Sequence, residues 1–297
     1  MATNDYIMKF STIIKFNLLQ PIVKLTKAFI TQNILPHLKK YPNGRSIEYP
    51  LWRIVKAILY RVKTGCQWRE LPIYFFLDSF KASYNHVYYH YRKWVEDGSW
   101  RRLWYILQFG NRHLLDLSSI QLDGSHTRTH TGGEQIGYQK RKKARTTNAL
   151  FITDKNGLPI AMSKPIAGNH HDIFCIEARF EELLSDIHSL GLSPDGLFMN
   201  ADSAFDAKVL RLLCFVAGIF DNIDFNVRNG ADTERESMLI EELYSERFVV
   251  ERTNAWIDGF KNLLVRYEKL VRTWWANHHI TFACILMRHP EFKTVHI

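Results

Sequence analysis

Apolar residues recur at helical spacing early in the chain and then give way to short runs. Leu51, Ile54, Val55, Ile58, Leu59 and Val62 share one face, with Pro50 ahead and Gly65 behind, which predicts an amphipathic helix. Tyr84, Val87, Tyr88, Tyr91, Trp94 and Val95 predict a second, closed by Gly98, with Asn85, His86, Tyr89, Arg92 and Lys93 on or near its other face. A third is expected from Trp100 to Leu115. From Ser118 the pattern changes to strands at Ile120–Leu122, Ala149–Thr153 and Leu158–Ala161, the last two joined by a hairpin turn at Asp154-Lys155-Asn156-Gly157. A helix from Asp172 to about Leu190, a strand at Gly196–Asn200, a helix capped by Asp206 and running through Ala217, a strand at Ile219–Val227 and a long helix from about Glu246 complete the order. The expected organisation is a small all-α domain over residues 1–116 and an α/β domain, a mixed sheet flanked by helices, over 117–297.

In that order the first and fourth strands can lie side by side, which makes Asp123 and Asp202 neighbours at their ends. On the last helix Arg247, Glu251, Asn254 and Asp258 form a polar stripe, and Trp256, Ile257, Phe260, Leu263 and Leu264 an apolar one. Packing the apolar stripe on the sheet leaves Glu251 facing the aspartates. Two aspartates and a glutamate suit a hard cation such as Mg2+, which takes oxygen ligands and lets substrate phosphates complete its shell. Two such ions about 4 Å apart stabilise both oxygens of an in-line phosphoryl displacement. Each acid also has a plainer reading: Asp123 as a turn residue before Gly124, and Glu251 as a solvated helix residue beside an arginine. Asp206 reads as a helix cap, while Glu236 or Glu242 is the rival third ligand in another helix register.

Charge adds a partner. The 297 residues carry 39 Lys plus Arg against 30 Asp plus Glu, a formal charge of +9, which favours a polyanion through counterion release and also fits a ribosome or membrane surface. Lys140, Arg141, Lys142, Lys143 and Arg145 concentrate five cations between a candidate catalytic strand and its hairpin, where phosphate contact is favoured over a merely solvated loop. Asn85, His86, Tyr89 and Arg92 form a face that can enter a major groove. The four cysteines, Cys66, Cys175, Cys214 and Cys284, have no metal-ligand spacing and read as reduced, buried residues of a cytoplasmic protein. Lys9, Lys15, Lys24 and Lys27 interrupt the apolar N-terminal stretch before it reaches the roughly 18 residues a membrane span needs. His126 and His130, past the first strand, lack a zinc partner set, and the acids from Asp232 to Glu242 read as a solvated connection.

The most telling spacing is Tyr-x2-Arg-x3-Glu at Tyr244, Arg247 and Glu251. It stands with Trp68-Arg69-Glu70-Leu71-Pro72, Tyr91-Arg92-Lys93-Trp94, Leu122-Asp123-Gly124-Ser125, Gly168-Asn169-His170-His171-Asp172 and Glu251-Arg252-Thr253-Asn254-Ala255-Trp256. With these motifs over most of its length, the chain resembles bacterial insertion-sequence transposases of the DDE type, in the group related to insertion sequence five. The resemblance implies a ribonuclease H-like catalytic domain with Asp123, Asp202 and Glu251 as a catalytic triad holding Mg2+ or Mn2+, two ions in all. It implies strand cleavage at the terminal inverted repeats of an insertion sequence and transfer of the freed 3′ hydroxyl to target DNA, with Tyr244 and Arg247 on terminal phosphates or bases. Joining two ends implies a homodimer on double-stranded DNA. Where the family signature carries a lysine seven residues after the glutamate, this chain has Asp258; either Lys261, one turn on, takes that DNA contact or it is absent. The interval from Val227 to Tyr244 is too short for a large β-rich insertion. The competing readings are a non-catalytic DNA-binding protein, such as a repressor or an inactive transposase remnant, and a metal-dependent nuclease for structured nucleic acid.

Overall fold

The periodic segments fold where their spacing puts them, in a computed structural model that describes residues 26–41, 49–226, 239–289 and 291–292. Lys9, Lys15, Lys24, Val227, Asp232, Glu234 and Glu236 lie outside those residues. The described chain forms two units: Met1–Gly110 with Phe260–Asn262 and Ala276–Ile297, and Asn111–Gly259 with Leu263–Trp275. Among the described residues no helix is long and apolar enough to cross a membrane.

The helical unit opens with α1 (Lys27–Asn33), whose Thr26 cap accepts from Phe29 N at 3.1 Å, and continues through α2 (Leu51–Thr64), α3 (Ile73–Leu77), α4 (Tyr84–Glu96) and α5 (Ser99–Gly110). Ile54, Val55, Ile58 and Val62 of α2 are fully buried, with Val87, Tyr91 and Trp94 of α4 and Leu103, Trp104 and Leu107 of α5. Two polar tips in this core are hydrogen-bonded: Tyr91 Oη donates to Asn277 Oδ1 at 2.6 Å and Trp94 Nε1 to Lys39 O at 3.1 Å. The third helix stops at Gly110, short of the expected Leu115, and a 3-10 turn at Arg112–Leu114 follows.

The second unit is built on one sheet. Its strands and helices are β1 (Ile120–Thr129), β2 (Gly137–Gln139), β3 (Ala144–Asp154), β4 (Pro159–Met162), β5 (Ile166–Ala167), α6 (Ile176–Ser189), β6 (Phe198–Ala201), α7 (Lys208–Val216) and β7 (Phe220–Ile223). A helical run follows as α8 (Glu241–Ser245), a 3-10 turn at Glu246–Phe248 and α9 (Val249–Asp258), then α10 (Lys261–Leu264), β8 (Val265–Arg266) and α11 (Val271–Leu286). β1 pairs antiparallel with β3, and β3 with β4; β6 joins the other edge of β1 in parallel, and β7 joins β6 in parallel. The order β4-β3-β1-β6-β7, three antiparallel strands followed by two parallel ones, is the ribonuclease H-like arrangement. α6 packs against β4 and β3, and α9 against β1.

Several boundaries differ from the pattern, each for a local reason. β1 runs seven residues past Leu122, so Asp123-Gly124 lies within a strand, not in a turn, and His126 lies in the strand, not past it. The first long helix begins at Ile176 because Asp172 is drawn to Asn148 and His126 and caps nothing. Asp206 does not cap α7, whose N-cap is Ala207; it pairs with Arg211 and accepts from Asn226 N at 2.9 Å. On α9 the buried face is Val250, Thr253 and Ile257, while Trp256 is half-buried and Leu264, beyond the helix, is exposed. Cys175 is exposed at a left-handed position, and of the four free cysteines only Cys214 and Cys284 are buried.

The β3–β4 turn forms as its residues dictate. Asp154 Oδ1 accepts from Asn156 N at 3.0 Å and Leu158 N at 2.7 Å, and Gly157 takes φ 81°, a left-handed geometry open to glycine. This turn is the seat of α9: Thr253 Oγ1 donates to Gly157 O at 2.6 Å and Arg252 Nη2 to Asn156 O at 2.6 Å. A Cβ on Gly157 would stand 2.8 Å from Thr253 Oγ1 and 3.1 Å from a Val249 methyl. Gly157→Ala is expected to cost about 1–2 kcal/mol from backbone strain, more where α9 must shift, and urea unfolding measures it; an unchanged midpoint would mean that the turn does not hold the helix.

Candidate active site

Pairing of β1 with β6 sets the site. Ile120, Gln121 and Leu122 stand beside Met199, Asn200 and Ala201 in parallel register, so Asp123 and Asp202 are the next residues on two adjoining strands. Side chains alternate along a strand, which puts Asp123 on the Gln121 face, toward α9. There Asn254 Nδ2 donates to Asp123 Oδ2 at 3.0 Å, and the Gly124 N–H donates to Oδ1 at 2.8 Å. Burial pushes the Asp123 carboxyl up to about 6 against the pull of those two hydrogen bonds, and the charges of Asp172 and Glu251 push the same way. Asn254, on the polar stripe of the closing helix, is thus in direct contact with Asp123.

Asp202 is turned to different partners. Its carboxylate is 54% exposed, accepts from Ala204 N at 3.2 Å, and lies 3.8 Å from Arg247 Nη1. Arg247 in turn covers the rings of Tyr244 and Phe248, with its guanidinium carbon 5.5 and 5.1 Å from their centroids. Burial raises the Tyr244 hydroxyl; Arg247 opposes this, and the charges of Asp202 and Asp224 add to it. Tyr244, Arg247 and Asp202 therefore gather into one group, and Asp123 and Asn254 into another. Among the described residues no three His, Cys, Asp or Glu side chains stand close enough to hold a metal ion.

The opposite face of β1 carries a cluster that no periodicity or ligand spacing in the sequence singles out. Asp172 Oδ1 accepts from Asn148 Nδ2 at 2.8 Å and faces His126 Nε2 at 3.4 Å, while His126 Nδ1 is 3.2 Å from Thr146 Oγ1. Burial pushes the Asp172 carboxyl up, but His126, Asn148 and Arg179 outweigh it and hold it below its ordinary value. A Cβ on Gly124 would fall 2.2 Å from Asp172 Oδ1, so glycine follows Asp123 because a carboxylate occupies the space a side chain would need. The only sequence signal for this cluster is the Gly168–Asp172 motif, which has no periodicity and no ligand spacing.

The basic run forms the β2–β3 turn. Lys140, Arg141, Lys143 and Arg145 are exposed, whereas Lys142 is half-buried, lies 3.5 Å from His126 O and sits within the fields of Asp172 and Asp123. Burial lowers the Lys142 amine, the two acids raising it in part. In the helical unit Asn85, Tyr89 and Arg92 are exposed along α4, Arg92 reaching Glu96 at 3.4 Å. His86 is taken up locally: it closes a capping box with Ser83 and meets Tyr49 edge-on, with centroids 5.1 Å apart. Lys261 is exposed and belongs to the helical unit, and Glu251 to the sheet unit.

Comparison with known families shows which class of protein carries this fold. Residues 116–286 match the transposase DDE domain, and residues 30–104 match a domain described as a transposase of the IS4/5 family. The chain belongs to the DDE transposase family, in its IS4/5 branch. No curated protein matches. Two solved structures are similar over much of both chains. A Mos1 transposase paired-end complex with left transposon end is 10% identical over 86% of this chain and 83% of that one, at a TM-score of 0.28. A pre-cleavage Mos1 transpososome is 8% identical over 87% and 83%, at 0.25. At these scores the likeness carries no functional argument.

The raised Asp123 carboxyl fixes a pH dependence. A group whose folded pKa lies above its unfolded one contributes stability that is full below about pH 4 and lost as pH rises through about 6. Asp123→Asn removes the ionisation, so in chelator it is expected to stabilise the protein by about 2–3 kcal/mol at pH 7.5 and by almost nothing at pH 4. Urea unfolding at both pH values reads the difference, and an equal effect at both would show that Asp123 ionises normally.

Proposed function

We propose that the protein is a DNA transposase that binds the terminal inverted repeats of its element and performs divalent-metal-dependent strand cleavage and strand transfer with Asp123, Asp202 and Glu251. The observation that carries this is the parallel pairing of β1 with β6, which makes Asp123 and Asp202 the next residues on two adjoining strands, with Asn254 of the helix that bears Glu251 bonded to the Asp123 carboxylate. The negative charges that help to raise the Asp123 carboxyl would be relieved by a bound cation. Asp202, half exposed and loosely paired with Arg247, is free to turn toward the other two. A pair of divalent ions, Mg2+ or Mn2+, would supply the charge that stabilises the attacking and leaving oxygens.

In the first step a water oxygen bonds to phosphorus at the element end and the P–O3′ bond breaks, leaving a 3′ hydroxyl on the element and a 5′ phosphate on the flank. In the second that hydroxyl attacks a target phosphodiester, so bonds broken and formed balance and no protein–DNA covalent link arises. Arg247 offers a planar fork of donors to terminal phosphates, and Tyr244 stacks beside it. Lys140, Arg141, Lys142, Lys143 and Arg145 draw in the phosphate backbone, and Lys261 adds a further cation. Asn85, Tyr89 and Arg92, with His86 fixing the start of their helix, read the repeat in a groove. Two copies act together on two ends, in the cytoplasm where the DNA lies.

The test is a labelled element-end duplex with Mg2+. Wild type is expected to nick it and join the product to target DNA, while Asp123→Ala, Asp202→Ala and Glu251→Ala each lower nicking by at least about 10³-fold and still bind the end. Binding with no cleavage under any divalent ion would make the chain a non-catalytic DNA-binding protein, and cutting without joining would make it a nuclease. Mg2+ is also expected to stabilise wild type by about 1–3 kcal/mol near saturation and Asp123→Ala by much less; thermal unfolding with and without the ion reads this, and equal shifts would remove Asp123 from the ion site.

A further inference from the structure

Three neighbouring strands carry a side-chain amide two residues before an aspartate: Gln121 before Asp123, Asn200 before Asp202, Asn222 before Asp224. Parallel register sets the three amides side by side, Gln121 against Asn200 and Asn200 against Asn222. All are buried, at 0%, 0% and 3% exposure, where a core residue would ordinarily be apolar. They form a ladder. Asn222 Nδ2 donates to Asn200 Oδ1 at 2.7 Å, Asn200 Nδ2 to Gln121 Oε1 at 3.0 Å, and Gln121 Nε2 to Ser119 Oγ at 3.0 Å.

The ladder spends its remaining groups on one segment. Ile240 N donates to Asn222 Oδ1 at 2.8 Å and Asn222 Nδ2 to Ile240 O at 3.1 Å; Asn200 Nδ2 donates to Leu243 O at 2.8 Å; Ser119 Oγ donates to Glu246 Oε2 at 2.6 Å. Ile240 immediately precedes the helical run that carries Tyr244, Arg247 and Glu251, and Leu243 and Glu246 follow within it at three-residue spacing, on the side toward the sheet. An apolar layer would let this run slide, since dispersion contacts have no direction, whereas each amide bond fixes one backbone atom.

We infer that the Ser119-Gln121-Asn200-Asn222 ladder is a positioning device that sets the register of the Tyr244–Arg247–Glu251 run against the strand ends bearing Asp123 and Asp202, and so sets the rate of cleavage. Its link to cleavage rests on the transposase reading; its hold on the run does not.

The experiment pairs amide hydrogen exchange with single-turnover nicking of end DNA. Asn222→Leu keeps volume and removes every bond of that amide, and Ile187→Val is a core change in α6 outside the ladder. In Asn222→Leu, amides 240–248 are expected to exchange roughly 10–100-fold faster while β1, β3 and α6 keep their protection, and nicking falls at least about tenfold with end affinity little changed. Ile187→Val leaves exchange at 240–248 and nicking near wild type. Should Asn222→Leu not fold, Ser119→Ala, which removes the Glu246 and Gln121 bonds at the other end of the ladder, reads the same amides with a smaller effect. Unchanged exchange at 240–248, or acceleration spread evenly over the sheet, overturns the ladder's role. Local loosening with undiminished nicking overturns its link to chemistry. Wild type that nicks no end DNA overturns the transposase reading, and the exchange data still decide the ladder.

Discussion

Parallel pairing of Ile120–Leu122 with Met199–Ala201 is the constraint on which the site depends. Side chains alternate with a period of two, so slipping β6 by one residue would send Asp202 to the other face and Asn200 out of its amide contacts. Apolar burial alone resists such a slip, because Ile120, Leu122, Met199 and Ala201 are all buried. Burial gives the strands a face, and the amide row gives them a register.

Function then imposes an electrostatic cost on this scaffold. Asp123 is half-buried, and its raised proton affinity records free energy that the fold supplies to keep a carboxylate there. The surrounding structure offsets it in fixed contacts: Asn254 and the Gly124 amide on the carboxylate, and the β3–β4 turn under α9. The rest of the acidic set is kept apart by partners of its own, Asp172 by His126 and Asn148 and Asp202 by Arg247. Such local rule-breaking is expected where chemistry is housed, since a sequence selected for stability alone would not place it there.

Much of this could be read along the chain because its signals are periodic. Helical spacing from Leu51 to Val62 and Tyr84 to Val95, alternation of strand and helix after Ser118, and the Asp154–Gly157 turn all appear in the structure close to where the pattern puts them. Errors fall where periodicity is silent. Nothing in Asp123-Gly124 distinguishes a turn from a strand crossed by another side chain, and Asp172 and Asp206 resemble helix caps until their long-range partners are known. Gln121, Asn200 and Asn222 read as ordinary polar residues in short strands.

The amino-acid sequence by itself determined the element order, the mixed sheet, the family and the polar stripe whose Asn254 meets the first strand, because these depend on repeating patterns and local motifs. Only the tertiary structure decided which carboxylates couple, why glycine follows Asp123, and what fixes the closing helical run. Those depend on atoms far apart in the chain meeting within hydrogen-bonding distance, as Asn254 meets Asp123 and Asn200 meets Leu243. Hydrogen bonds are short and directional, so no one-dimensional pattern encodes their partners.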